Sequence, residues 1–319
     1  MNTCAVSPPR WDSMKDRFLS YIRDVRRYSP RTCEIYADVL GKFVDFCEGS
    51  EDFASLLTVN GIRAYEVHLF DGLKLSPRTV SQHLSVLSSF CRFLINEGVL
   101  QSNPVRLVKR PKMEKRLPLF YKDKAMDYYF EHTVGDPEFG NYEQKLKRLI
   151  VSLLASCGLR RSELISLNVS SVDFSRGVLR VRGKGDKMRE IPLIPSLCEE
   201  ISLYLSASSS LNDDAYEPDA PLLRTGKGGR LYPVFVDRAV KESLSGVPDI
   251  TVRKSPHVLR HTLATALLSD GADLNSIKEL LGHSSLAATQ VYTHNTIERL
   301  QSVYINAHPR AKNGGKNGD

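Results

Sequence analysis

Six residues in the second half of the chain have side chains suited to one reaction, the breaking of a phosphodiester. Two stretches, PHVLRHTLAT at 256–265 and LLGHSSLAATQVYTH at 280–294, hold His257, Arg260, His283 and Tyr292. His257 and Arg260 are one helical turn apart and share a face, Gly282 can end a helix ahead of His283, and Tyr292 follows nine residues later. Upstream, GLRRSEL at 158–164 supplies Arg160, and GKGDK at 183–187 supplies Lys184 in a turn. Attack on a phosphodiester builds negative charge on two non-bridging oxygens. Two guanidiniums, Arg160 and Arg260, can meet those oxygens with paired, charge-assisted hydrogen bonds that lysine does not reproduce. A phenol of pKa about 10 is roughly one part in a thousand ionised at neutral pH, so Tyr292 as nucleophile needs a proton acceptor or a cationic field beside it. His257 is the candidate acceptor. Lys184, on a hairpin turn, can protonate the departing sugar oxygen, and His283 can donate a hydrogen bond where phosphate charge develops.

Each residue type also has a plainer use. His257 and His261 stand four apart, as zinc ligands do, but position 258 is Val rather than the Glu of a H-E-x-x-H protease. A tyrosine after a helix is commonly a packing residue, and a glycine-flanked lysine commonly marks a solvated hairpin tip. Arg161 and His261 read as structural or phosphate-positioning, and Lys187 and Arg189 as contacts to a DNA backbone or to solvent. The run TGKGGR at 225–230 has the wrong spacing for a phosphate-binding loop. No carboxylate cluster of the kind that holds two magnesium ions is evident. Chemistry by cationic side chains, with no metal and no cofactor, is the expectation.

The elements that must position these groups are mostly helices. Trp11, Met14, Phe18, Ile22 and Val25 recur at three or four residues and predict a helix over 11–27. Ser29 and Ser76 each open the tetrapeptide SPRT, with serine as cap and proline in the first turn. Thr58 is a third cap, for a helix through Leu69, and Gly98 stops the fourth helix, so 11–103 reads as a four-helix domain. In the second half a long apolar helix ends at Gly158 in the left-handed conformation, leaving Arg160 just past its end. GVLRVRGKGDKMREIPL at 177–193 reads as two strands about a turn that carries Lys184. Residues 206–229 read as a surface loop with a short strand at 221–223, and helices resume near Val234. Thr296 to Ile305 keeps helical spacing, and the AKNGGKNGD tail reads as disordered.

The chain has 319 residues, 44 Lys and Arg against 37 Asp and Glu, and a net charge of +7, which fits two domains and a polyanionic partner. Arg106, Lys109, Arg110, Lys112, Lys115 and Arg116 crowd a proline-bearing stretch with one acid, Glu114. This is a connector that either lies along phosphates or is simply solvated; its place between two helical regions favours DNA contact. The 6 cysteines form no C-x-x-C pair and sit among apolar positions, as reduced core thiols do. The first residues lack an apolar signal core, and no stretch reaches the roughly 20 uninterrupted apolar residues of a membrane span. A soluble, cytoplasmic protein without membrane contact is expected.

Taken together, Arg160, Lys184, the His257-x-x-Arg260 pair, His283 and Tyr292 resemble the catalytic set of the tyrosine recombinase (integrase) family, most closely its Xer-type members, across about 145–305. The resemblance implies that Tyr292 joins a DNA 3' phosphate and frees a 5' hydroxyl, without ATP. It also implies that Glu163 supports the site by orienting an arginine or histidine. Leu263 departs from the aromatic more usual in the family. The implied fold is mainly α with a small β-sheet: an N-terminal four-helix core-binding domain (1–110), a basic linker (111–118), a mixed α+β catalytic domain with a C-terminal helix (119–307) and a tail (308–319), closing as a clamp on DNA. Only about ten residues precede the first helix, so no arm-binding domain is expected. Implied partners are a double-stranded recombination site and three further subunits, identical or not, in a tetramer joined through the C-terminal helix. A DNA translocase or a second recombinase is a further implied partner. The role would be dimer resolution, inversion or integration. Two rivals stay open: a type IB topoisomerase, and a non-catalytic DNA-binding protein.

Overall fold

A computed structural model of the chain describes residues 11–47, 56–113, 119–133, 141–183 and 186–282. The chain divides into two compact units, Met1–Arg116 and Leu117–Asp319.

The first unit is built from α1 (Trp11–Ser20), α2 (Pro30–Phe46), α3 (Val59–Val67) and α4 (Pro77–Asn96). The SPRT segments cap as their composition requires: Ser29 Oγ accepts from Thr32 N and Ser76 Oγ from Thr79 N, both at 3.3 Å. Thr58 Oγ1 accepts from Gly61 N at 3.1 Å. The helices predicted over 11–27 and through Leu69 are shorter as α-helices. Each widens into a π-turn, Tyr21–Val25 and His68–Gly72. The chain then passes through a basic residue at positive φ, Arg27 at 50° and Lys74 at 51°, before entering SPRT. The widened turns let Tyr28 N reach Ile22 O at 2.9 Å and Leu75 N reach Leu69 O at 3.0 Å, so the backbone bonds are kept while Ile22 and Leu69 stay buried. The core is Met14, Phe18, Phe43, Ile62, Tyr65, Leu84, Phe90 and their neighbours. Within it Tyr65 Oη and His83 Nδ1 share a hydrogen bond of 2.9 Å.

In the second unit α6 (Tyr142–Cys157) is buried at every position but Ala155 from Leu149 to Cys157, and α8 (Pro195–Ser209), α9 (Pro233–Ser243) and α10 (Pro256–Ser269) pack around it. A capping box starts it: Asn141 Oδ1 accepts from Gln144 N at 2.9 Å, and Gln144 Oε1 accepts from Asn141 N at 3.1 Å. The remaining described helices are α5 (Asp123–His132), α7 (Arg161–Ser166) and α11 (Leu274–Leu281). Strands β1 (Val172–Asp173), β2 (Val178–Arg182) and β3 (Met188–Pro192) form one antiparallel sheet in that order, with Arg182 opposite Met188. The fold is therefore mainly helical with a small sheet, as the pattern of elements predicted. One expected strand is absent: at 221–223 the chain makes only an isolated bridge, Asn168 to Pro221, because a proline has no N–H for a ladder. Cys47 and Cys91 are buried, and loss of hydration pushes both thiols up to about 12. No helix among the described residues is long and apolar enough to cross a membrane.

Candidate active site

Gly158 fixes the approach to the site. It caps α6 with φ of 58°, and its N–H donates to Leu154 O at 3.1 Å. A Cβ there would stand 2.5 Å from Leu281 Cδ2 and 3.0 Å from Leu263 Cδ2, so both the backbone conformation and the packing require glycine. Two residues later Arg160 is the extended residue that opens α7. Its backbone N–H and Nη1 both reach the Glu163 carboxylate, at 2.8 and 2.6 Å, and Nη2 donates to Gly282 O at 2.7 Å.

Arg260 rises from α10 with only 6% of its surface exposed. Nη1 donates to Gly158 O at 2.5 Å and Nη2 to Leu281 O. Burial, then the positive charge of Arg160, lowers its pKa to about 10, so it stays protonated at neutral pH. One turn before it, His257 is exposed, and its Nε2 lies 3.1 Å from Nε2 of His261. That bond needs a neutral ring on at least one side. Partial loss of hydration on one side of the ring first, then the neighbouring His261 and Arg260, pushes His257 below the usual histidine range. The ring is therefore a neutral proton acceptor at physiological pH.

A third arginine completes the centre, and it corrects the expectation that Arg189 faces a DNA backbone or solvent. Arg189 is 5% exposed and forks onto Glu163, Nη1 to Oε1 at 3.0 Å and Nη2 to Oε2 at 2.8 Å, while Nε donates to Leu280 O at 3.0 Å. Its Nε and both terminal nitrogens are engaged by acceptors inside the unit. Its inward orientation has a local signal: Arg189 shares the pleat face of Ile191, two residues on and fully buried, while Met188 is exposed. A charge on the apolar face of a hairpin marks a buried partner, here the carboxylate of Glu163. Burial drives that carboxyl toward higher pKa, but the hydrogen bonds and charge of Arg189, with the bonds from Arg160, outweigh it and the net shift is downward.

The end of α11 is thus held from three directions. The carbonyls of Leu280, Leu281 and Gly282 receive Arg189 from β3, Arg260 from α10 and Arg160 from the α6–α7 junction. These are groups that a helix C-terminus leaves without intrahelical donors, and they carry the negative end of its dipole.

Lys184, His283 and Tyr292 lie outside the described residues; the residues that precede Lys184 and His283 lie at this cluster. Gly183, the residue before Lys184, donates its N–H to Lys187 O at 2.7 Å, and a Cβ on it would be 3.5 Å from Arg189 Nη1 and 3.8 Å from Glu163 Oε1. Gly282, the residue before His283, is the Arg160 acceptor. Arg161 pairs with Asp237 of α9, away from the cluster. Of the other basic candidates, Lys187 is exposed beside the hairpin turn, and Lys109 and Lys112 are exposed in the first unit. Arg110 folds back on α4, donating to Ser81 O at 2.6 Å and Ser85 Oγ at 3.0 Å. Lys115 and Arg116 lie outside the described residues. No group of three or more metal-binding side chains occurs among the described residues, so the His257–His261 pair has no third ligand there.

Sequence comparison places this geometry in a family. Residues 138–299 match the phage integrase family, and residues 14–99 match the phage integrase N-terminal SAM-like domain. The chain is 35% identical over 318 residues to the tyrosine recombinase XerC of Chlorobaculum tepidum, covering 92% of this chain and 94% of that one. It is 36% identical over 308 residues to XerC of Bacillus subtilis, covering 92% and 95%. The chain therefore belongs to the phage integrase family, and it is a site-specific tyrosine recombinase. Solved structures share the fold: the Tn1549 transposon integrase in complex with transposon right end DNA aligns with a TM-score of 0.66 at 18% identity, over 91% of this chain and 98% of that one. The XerH recombinase bound to palindromic difH substrate aligns with a TM-score of 0.65 at 20% identity, over 92% and 83%.

Proposed function

We propose that Tyr292 attacks a phosphodiester of a double-stranded recombination site, forming a 3'-phosphotyrosyl bond and releasing a 5' hydroxyl. The observation that carries this reading is the placement of Arg160 and Arg260 on adjacent carbonyls, Gly282 and Leu281, with one carboxylate, Glu163, facing both Arg160 and Arg189. Three guanidiniums around one buried carboxylate leave positive charge uncompensated, and a phosphodiester is the anion that two forked cations clamp best. Arg160 and Arg260 hold the non-bridging oxygens, His257 takes the phenol proton, and His283 donates to the phosphate as charge develops. Lys184 protonates the leaving 5' oxygen. Glu163 orients Arg160. Bond energy is kept in the phosphotyrosine, so the cycle uses neither ATP, metal nor cofactor.

Lys109, Lys112, Lys115, Arg116 and Lys187 lie along phosphates of the duplex, and Arg110 joins them from beside α4. Four subunits on two sites exchange C-terminal helices, and the arrangement of the sites decides between resolution, inversion and integration. The enzyme works on cytoplasmic DNA. Incubation with a nicked duplex carrying the site, followed by denaturing electrophoresis, tests the proposal: an adduct forms with the wild type and disappears in Tyr292→Phe. An adduct that persists in Tyr292→Phe refutes it, and supercoil relaxation without strand exchange between two sites would point to a topoisomerase.

A further inference from the structure

Arg189 has no part in the proposed reaction, yet three segments of the site converge on it. Its fork takes both oxygens of Glu163, its Nε takes the Leu280 carbonyl, and its side chain fills the space beside Gly282, where an added Cβ would meet Nη1 at 3.1 Å and Cδ at 3.3 Å. It thereby joins three pieces that are distant in the chain: the hairpin that carries Lys184, the carboxylate that holds Arg160, and the last turn of α11 before His283.

We propose that Arg189 is a positioning residue for strand cleavage, tying β3 to the end of α11 and holding Glu163 in the orientation that aims Arg160. The inference rests on the assignment of Arg160 to the scissile phosphate. Buried ion pairs add little net stability over well-packed apolar side chains, so stability alone does not call for an arginine here. Orientation does. Glu163 oxygens accept from the Arg160 backbone and from its guanidinium, and only a charged carboxylate with both oxygens fixed does this at once. Among the described residues the charged groups facing that carboxylate are cationic: Arg160 from the α6–α7 junction, Arg189 from β3 and, through space, Arg260 from α10. Without Arg189 the buried carboxyl is free to pick up a proton and turn, and Arg160 turns with it. Lysine is a poor substitute because a single ammonium does not span two carboxylate oxygens and a carbonyl in one plane.

The test uses the full chain and a nicked duplex on which the wild type forms its adduct. Arg189→Met, Arg189→Lys and the double variant Arg189→Met/Glu163→Gln are compared for duplex binding and single-turnover adduct formation across pH 6 to 9. Binding should stay near wild type while Arg189→Met cleaves on the order of 100-fold more slowly, the scale of loss expected when a reacting group is displaced by about 1 Å. Its rate should fall more steeply toward acid than that of the wild type, and the double variant should lose that extra dependence because it has no carboxyl to titrate. Wild-type cleavage by Arg189→Met overturns the proposal. So does a slow rate whose pH profile is the same with and without the Glu163 carboxyl, since that is a purely structural loss. If Arg189→Met does not fold, Arg189→Lys decides: slow cleavage with intact binding supports the proposal, and wild-type cleavage overturns it. Arg160→Ala run alongside separates the two readings, because normal cleavage by that variant removes the role of Arg160 itself.

Discussion

Replacing Gly158 by alanine tests the argument that one residue sets both a helix end and the site. Two costs add at this position. An L-residue in the left-handed region loses about 1–2 kcal/mol, and at φ of 58° alanine meets that penalty in full. The new methyl would also stand 2.5 Å from Leu281 Cδ2 and 3.0 Å from Leu263 Cδ2, an overpacking that typically costs about 1–3 kcal/mol. The second unit should therefore lose about 2–5 kcal/mol, with α11 pushed off the cap of α6. Tryptophan fluorescence would miss this, since the single Trp of the chain, Trp11, belongs to the first unit. Amide hydrogen exchange read by mass spectrometry on peptides from α6 and α11 reports it directly. A cycle with Leu281→Ala separates the costs: removing the 2.5 Å contact should lower the penalty of Gly158→Ala toward the backbone share of about 1–2 kcal/mol, the looser contact with Leu263 remaining. If α6 and α11 of Gly158→Ala exchange as slowly as in the wild type, the packing argument is wrong. A penalty that Leu281→Ala leaves unchanged would show that Leu281 contributes nothing to it.

Two further outcomes follow from titrating groups. His257 is held below the usual histidine range, first by partial loss of hydration and then by His261 and Arg260, so the acid limb of the cleavage-rate profile should lie below pH about 6.5; His261→Asn removes one lowering neighbour and should move that limb up, whereas an unmoved limb would mean that His257 is not the acceptor. In the first unit, Tyr65→Phe leaves His83 Nδ1 without its partner in a buried setting, which should cost about 1–3 kcal/mol by urea unfolding followed through Trp11. His83 is itself pushed down, chiefly by burial, so this unit has its full stability above pH about 6.5 and loses it as pH falls through the lower folded value; an acid-insensitive unfolding midpoint between pH 7 and 5 would contradict that burial.

The features that could be read from the sequence were those decided by a few neighbouring residues. Ser29, Thr58, Ser76, Gly158 and Gly282 act as caps through their own side chains or their own φ, so the string of residues around each is enough. The π-turns at Tyr21–Val25 and His68–Gly72 were not legible, because a helical apolar spacing barely changes when one turn takes an extra residue. Arg189 stayed hidden for a different reason. The alternation with Ile191 is a local sign that its side chain points inward, but its partner Glu163 lies 26 residues earlier, so the pairing itself shows only in the packing of α7 against the hairpin.

That packing also explains why the centre is made of arginines. Each guanidinium has five donors in one plane. Arg160 uses Nη1 on Glu163 and Nη2 on Gly282 O, and Arg260 uses Nη1 on Gly158 O and Nη2 on Leu281 O. Each side chain is thus anchored and still keeps N–H groups for a ligand. A lysine fixed by the same acceptors would have one donor left and no plane to hold it. The end of α11 needs cations for its carbonyls and a phosphodiester needs forked cations for its oxygens, and an anchored arginine meets both requirements with one side chain. Arg160→Lys or Arg260→Lys should for that reason loosen the turn at Gly282 as well as weaken the clamp on phosphate.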